Sequence, residues 1–253
     1  MKIMTSVSII TISQQSRFEN IKILYELIKL QDYPFIKEWI IVEGSKTKES
    51  KQYNIKQLQE FINEKQKKTQ MKIRYIIPVN IEPISNLRNI GNYECSGDII
   101  VCMDDDDYYP KERVSHAVDK LTESGLQIAG CSAMYMYDYF YKKLYKFEGY
   151  RNHSTNNCMA YTIKYLERHS YKPGLTMAEE SSFTNGFREP MVQLDSLKTI
   201  IVSSHDSNTF NKKQLIDAME RDEIYYLYEI NKPIMNYIPK DIFERMRDIF
   251  TRQ

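Results

Sequence analysis

Asp104, Asp105, Asp106 and Asp107 follow one another directly after the apolar run 99–103 and directly before Tyr108, Tyr109 and Pro110. Adjacent carboxylates repel, and a partly desolvated cluster raises its own pKa values unless a cation compensates. A hard divalent ion held by carboxylate oxygens, its shell completed by water and substrate phosphate, resolves that conflict. If the chain stays extended there, Asp104 and Asp106 point one way and Asp105 and Asp107 the other. The competing reading is a solvated acidic loop, or a cap for a helix that begins at Lys111.

The elements around the run decide between these readings. Residues 7–12 are a short β-branched run and predict a strand; 39–42 and 73–77 predict two more, and 98–103 a fourth. Between them, 18–28, 53–67 and 84–94 repeat apolar residues at helical spacing, with Ser16 placed to cap the first helix and Gly97 to stop the third. Pro34 closes the turn after the first helix. Strand alternating with helix predicts an α/β fold with a mostly parallel, doubly wound sheet. In such a sheet ligands bind outside the carboxyl ends of the strands, where the four aspartates begin. Beyond Pro110 the sequence predicts a helix over 111–124, a strand over 127–136 and an antiparallel hairpin over 137–147. A further strand is expected at 199–202, and helices over 212–228 and 240–250.

Composition narrows the class. Lys plus Arg (35) nearly cancels Asp plus Glu (34), leaving a net charge of +1, so no summed field draws the chain to nucleic acid or membrane. No segment approaches the roughly 20 apolar residues of a membrane span, and 1–12 lacks the cleavage site of a signal peptide. The expected location is cytoplasmic. Cys95, Cys102, Cys131 and Cys158 lack C-x-x-C spacing and read as reduced core thiols.

The stretch from Ile84 to Pro110, ISNLRNIGNYECSGDIIVCMDDDDYYP, resembles the nucleotide-sugar half of family 2 glycosyltransferases, which have the GT-A fold. That family shows an Arg-Asn helix, a small residue and Gly, a strand, an Asp-x-Asp cluster, then an aromatic and Pro. The opening VSIITI (7–12) and WIIVEGS (39–45) match its first two strands in order and spacing. The resemblance covers roughly 7–113 well and the rest thinly. It implies one GT-A domain over 1–253, with 1–110 binding the nucleotide sugar, 111–210 carrying the acceptor half and 211–253 a helical tail. It also implies a small antiparallel element beside the Rossmann-like sheet.

By this resemblance Asp104 contacts the ribose, with Asp105 beside it. Asp106 ligates Mn2+ or Mg2+, and Asp107 is an alternative ligand. Arg88 and Asn89 match the Arg-Asn of the family's helix; Arg88 suits the nucleotide or a neighbouring carboxylate, a reading its fixed distance to the acidic run favours over an exposed helix face. Glu43 stands where the family carries a nucleobase-reading Asp, a departure that loosens base identity. Thr11 and Ser13 end the first strand and either meet the base or ribose or cap the core edge. Ala178-Glu179-Glu180 resembles the family's Glu-Asp motif, which supplies the general base. Here Glu180 replaces the Asp, and Glu179 precedes it; both also suit a helix N-terminus. His205 with Asn208 and Thr209 resembles the late H-x-x-N-T segment, which places His205 near the metal or the diphosphate, or simply on the surface.

The function this implies is metal-dependent, inverting transfer from a nucleoside-diphosphate sugar, UDP-linked, to a glycan, lipid or protein hydroxyl. A nucleotidyltransferase needs a Gly-rich phosphate loop after the first strand, and 12–17 (ISQQSR) holds no glycine. The remaining alternative is a catalytically degenerate GT-A-like domain that binds a glycan or protein. The apolar face of 242–250 suits either the chain's own core or a homo-oligomer contact.

Overall fold

β1 (Val7–Ser13) alternates in the way a two-faced strand must: Val7 and Ile9 enter one apolar cluster, and Ile10 enters a second one on the opposite face. A computed structural model describes residues 4–45, 55–208 and 210–251. α1 (Phe18–Lys29) returns the chain to β2 (Ile36–Glu43), and α2 (Ile55–Gln66) leads to β3 (Lys72–Ile76). α3 (Ile84–Glu94) then leads to β4 (Ile99–Cys102). These four strands pair in parallel in the order β3-β2-β1-β4.

Helices cover both faces of the sheet. Ile21, Leu24 and Leu27 of α1 and Leu58 and Ile62 of α2 share one cluster with Ile9, Trp39, Ile41 and Ile73. Leu87 of α3 packs on the other face against Ile10, Ile40, Val42, Ile100 and Cys102. Past β4, α4 (Arg113–Ser124) leads to β5 (Ile128–Gly130), which lies at the far side of the same sheet. β8 (Ala160–Thr162) inserts antiparallel between β4 and β5, and β9 (Val192–Gln193) pairs parallel with β5. The seven-stranded order is β3-β2-β1-β4-β8-β5-β9.

A second sheet forms from β6 (Tyr135–Asp138), β7 (Lys143–Phe147), β10 (Ile201–Ser204) and β11 (Leu227–Ile230), in the order β10-β6-β7-β11. Met136, Leu144, Tyr145, Val202 and Leu227 of this sheet belong to the same cluster as Ile9 and Trp39. α5 (Glu180–Phe183), α6 (Ser196–Thr199) and α7 (Lys213–Glu220) are short. α8 (Lys240–Phe250) buries Ile242, Phe243, Met246 and Phe250 in the shared core, so its apolar face is occupied within the chain. Among the described residues no helix is long and apolar enough to cross a membrane. All four cysteines are free and buried.

Several boundaries move from their expected positions. Ser16 lies within a 3-10 turn, Gln15–Arg17, and α1 has no side-chain cap. The predicted strand 127–136 is two strands in different sheets, because the chain leaves β5 at Cys131, whose N–H turns to the Ser154 hydroxyl. The stretch 212–228 is helical only as far as Glu220, and the tail holds a strand. Asp222 adopts φ 56°, which ends the helical run, and Leu227–Ile230 then pairs antiparallel with β7. The strand expected at 199–202 runs Ile201–Ser204, with 196–199 helical. Residues 53 and 54 of the predicted second helix, and Thr209, lie outside the described residues.

Gly97 has a role other than stopping a helix, since α3 has already ended at Glu94. A Cβ at Gly97 would lie 2.5 Å from the Ser8 nitrogen and 2.8 Å from the Val7 carbonyl carbon, so only glycine lets this segment cross β1. Its N–H donates to the Ser8 hydroxyl at 2.8 Å. Gly97→Ala is expected to destabilise the fold by ~1–3 kcal/mol, the cost of forced backbone displacement in a packed core. Urea denaturation of the two proteins measures it.

Candidate functional site

The chain turns immediately after β4, so Asp105 to Asp107 do not continue the strand. The expected two-sided alternation is therefore absent, and each aspartate takes its own direction. None of them caps α4, which begins at Arg113 after Glu112. Tyr108 forms a bridge to Ile201, with N–H···O distances of 3.1 and 2.9 Å, and ties the run to the second sheet.

Asp104 turns towards α3, where Arg88 donates to its two oxygens at 3.0 and 3.4 Å. Its own N–H donates to the Tyr109 hydroxyl at 2.6 Å. Asp105 turns inward beneath β1, accepting from the Ser13 hydroxyl at 2.5 Å and from Arg17 at 2.8 Å. Asp107 is buried between the sheets and accepts from Ser203 N–H at 2.8 Å and from the Asn157 amide at 2.6 Å. Asp106 Oδ2 lies within 3.1 Å of both Arg17 Nη1 and Asn208 Nδ2, and 3.2 Å from His205 Nε2.

Environment separates the four carboxylates. Burial, with Asp106 alongside, pushes Asp107 well above the usual carboxylate range. Burial also raises Asp105, with the Arg17 charge opposing it. Burial acts on Asp106 in the same sense, but the His205 hydrogen bond and the Arg17 charge outweigh it and hold this carboxyl low. Of these three buried carboxyls, Asp106 is the one held low. Asp104 has the most exposed side chain of the three that meet cations, at 27% against 12% for Asp106 and 1% for Asp105.

Arg88 joins this run to the second acidic pair. It is buried and spans Asp104 and Glu179 Oε1, the latter at 3.4 Å. Asn156 donates its amide to the same Glu179 oxygen at 2.9 Å and its backbone N–H to Glu180 Oε1 at 3.2 Å. Burial, and then the neighbouring Glu179 charge, raise the pKa of Glu180. Glu180 opens α5 and Glu179 precedes it, but α5 is a single turn with no side-chain cap bond.

His205 follows β10. Its ring stacks on Phe250 of α8 with centroids 4.0 Å apart and planes 6° apart. Ser207 lies 2.8 Å from Nδ1, and His205 N–H donates to Asn208 at 2.9 Å. Asp106 and His205 form a two-donor corner; among the described residues no three His, Cys, Asp or Glu side chains converge as a closed metal site. Such a corner fits an ion that keeps waters and takes its remaining ligands from a substrate's phosphates.

Other expected residues have partners of their own. The Thr11 hydroxyl accepts from Trp39 Nε1 at 2.9 Å inside the core. Asn89 exchanges both its amide groups with the backbone of Tyr171, at 2.8 and 2.9 Å, and so anchors that loop. Glu43 is buried, accepting from Ser45 N–H at 2.7 Å and from the Tyr75 hydroxyl. Ser13 reaches the site only through Asp105. Arg17, Asn156 and Asn157 are part of the constellation and were not singled out from sequence. For Arg17 the usable signal was its position just past a strand end; the two asparagines gave none.

The family model described as Glycosyl transferase family 2 matches residues 8–186, well over half of the chain. This chain belongs to glycosyltransferase family 2. No curated protein matches it in sequence. Among solved structures, a mannosyltransferase, PcManGT from Pyrobaculum calidifontis in complex with GDP-Man and Mn2+, superposes with a TM-score of 0.60 at 12% identity, covering 97% of this chain and 70% of that one. S. aureus TarS 1-349 in complex with UDP-GlcNAc gives 0.58 at 15% identity, over 80% of this chain and 60% of that one. The family 2 chain thus has the mixed α/β architecture of these glycosyltransferases, and spans about 60% of the TarS fragment's length.

Arg88→Met is expected to strand Asp104 and Glu179 without their shared cation. Breaking a buried pair in this way costs ~3–5 kcal/mol, read from chemical denaturation at neutral pH. A loss below 1 kcal/mol would show that the Asp104 and Glu179 contacts are energetically idle.

Proposed function

We propose that this chain transfers a sugar from a nucleoside-diphosphate sugar, UDP-linked, to a hydroxyl acceptor with inversion, in the presence of Mn2+ or Mg2+. One observation carries the reading. Arg88 ties Asp104, at the sheet's carboxyl edge, to Glu179 of the Glu179–Glu180 pair, while Asp106, two residues further along the run, meets His205. A donor site and a base are thereby held in one frame.

In this reading residues 1–110 hold the donor, and Asp104, the most exposed of the three cation-paired aspartates, meets the ribose. Asp106 and His205 would hold the divalent cation, which supplies positive charge against the departing diphosphate. Glu180 takes the acceptor's hydroxyl proton as the acceptor oxygen bonds to the anomeric carbon. The bond from that carbon to the diphosphate oxygen breaks, and its electron pair leaves on the diphosphate. The Glu179 carboxylate, fixed by Arg88 and Asn156, lies beside Glu180 and adds to burial in raising its basicity. Asp107 and Asp105 position the run and touch no substrate.

Binding of UDP- and GDP-sugars with Mn2+ present, followed by slow hydrolysis, tests the donor assignment; if none binds, the assignment fails. Asp106→Ala is expected to abolish metal-dependent nucleotide binding. Glu180→Gln is expected to leave that binding intact and to lower turnover at least ~100-fold, the typical contribution of a general base. Full turnover in Glu180→Gln would place the base elsewhere.

The pH profile gives an independent check. A raised Glu180 pKa means the base is lost as pH falls through that value, so the acid limb of kcat/KM is expected above the ordinary range of a glutamate.

A further inference from the structure

Among the described residues, Arg17 is the one cation that touches two of the four aspartates. Nη1 lies 2.8 Å from Asp105 Oδ1 and 3.1 Å from Asp106 Oδ2, and Nη2 donates to the Ser207 carbonyl at 2.8 Å. The oxygen it takes from Asp106 is also the one that faces His205 Nε2. A divalent ion ligated through that oxygen meets a guanidinium already there, and two positive centres cannot share one carboxylate oxygen without strong repulsion. The side chain itself is 20% exposed, so it has a route outward, whereas Asp105 is fixed from below by Ser13.

We propose that Arg17 is an internal countercation: it holds Asp106 when no nucleotide is bound, and it moves to the donor's diphosphate when one is. The inference rests on the donor reading above and adds a coupling to it. Guanidinium suits this exchange because the same planar fork pairs with carboxylate and with phosphate. Diphosphate binding removes the competitor from Asp106 as it brings its own oxygens to the metal. Nucleotide therefore tightens metal binding, and by thermodynamic reciprocity metal tightens nucleotide binding by the same factor. Metal alone meets a site whose charge is already neutralised.

Mn2+ binding, followed by loss of the free-ion electron paramagnetic resonance signal with and without saturating UDP, tests this in the full chain. In the wild type UDP is expected to tighten Mn2+ about tenfold or more. Arg17→Gln is expected to bind Mn2+ alone about fivefold or more tightly than the wild type, while the UDP enhancement shrinks. Arg17→Met, which keeps the apolar stem, gives the same readout should Arg17→Gln not fold. A folded variant that binds Mn2+ no more tightly than the wild type, or that keeps the full UDP enhancement, overturns the proposal. Failure of the wild type to bind Mn2+ even with UDP is a different result, and overturns the donor reading together with this inference.

Discussion

Four consecutive carboxylates at the end of a buried strand set the terms for everything around them. At an effective dielectric near 20, two like charges about 4 Å apart repel by roughly 4 kcal/mol, a large fraction of the net stability of an ordinary domain. The chain meets this by turning after β4 and giving each aspartate a different set of donors. Asp104 faces Arg88, Asp105 faces Arg17 and Ser13, Asp106 faces Arg17, His205 and Asn208, and Asp107 faces Asn157 and a β10 backbone N–H. Those donors come from β1 and the 15–17 turn after it, α3, the 156–158 turn, β10 and the residues that follow it. Satisfying the charge is therefore also what fastens the second sheet and α3 to the first.

This arrangement explains why two of the four residues are spent on structure. Asp107 holds β10 in place and Asp105 holds β1 and Arg17, which leaves Asp104 and Asp106 with the more open side chains. Family 2 membership and the architecture shared with other glycosyltransferases fit a site at this sheet edge. The proposed chemistry depends on the same division of labour: a half-buried carboxylate for the sugar nucleotide, and one held low beside an imidazole for the cation.

Arg88 and Phe250 show how distant elements enter the site. Arg88 lies on α3 next to Leu87, which packs into the sheet, and reaches Asp104 and Glu179 from there. Phe250 belongs to the last helix, yet it lies flat against His205, and α8 reaches that place because Phe243 and Met246 fill the core shared with Tyr137 and Tyr139. Helix packing thus fixes the ring that faces Asp106.

The sequence alone determined the parallel half of the sheet. β-branched runs alternating with amphipathic helices have one periodicity each, and Val7–Ser13, Ile84–Glu94 and Ile99–Cys102 lie within a residue or so of where that pattern put them. It also offered candidates for chemistry, since four aspartates at a strand end and the 179–180 pair are local facts. Tertiary structure decided the rest. The division of 127–136 between two sheets, the strand at Leu227–Ile230 and the close passage of Gly97 over Ser8 all depend on partners far away in the chain. The fates of the individual side chains were settled the same way. Thr11, Asn89 and Glu43 are consumed by Trp39, Tyr171 and Tyr75, and Arg17 is drawn to the aspartates across 88 residues of chain, because hydrogen-bond satisfaction in a buried site is a property of the assembled core and not of spacing.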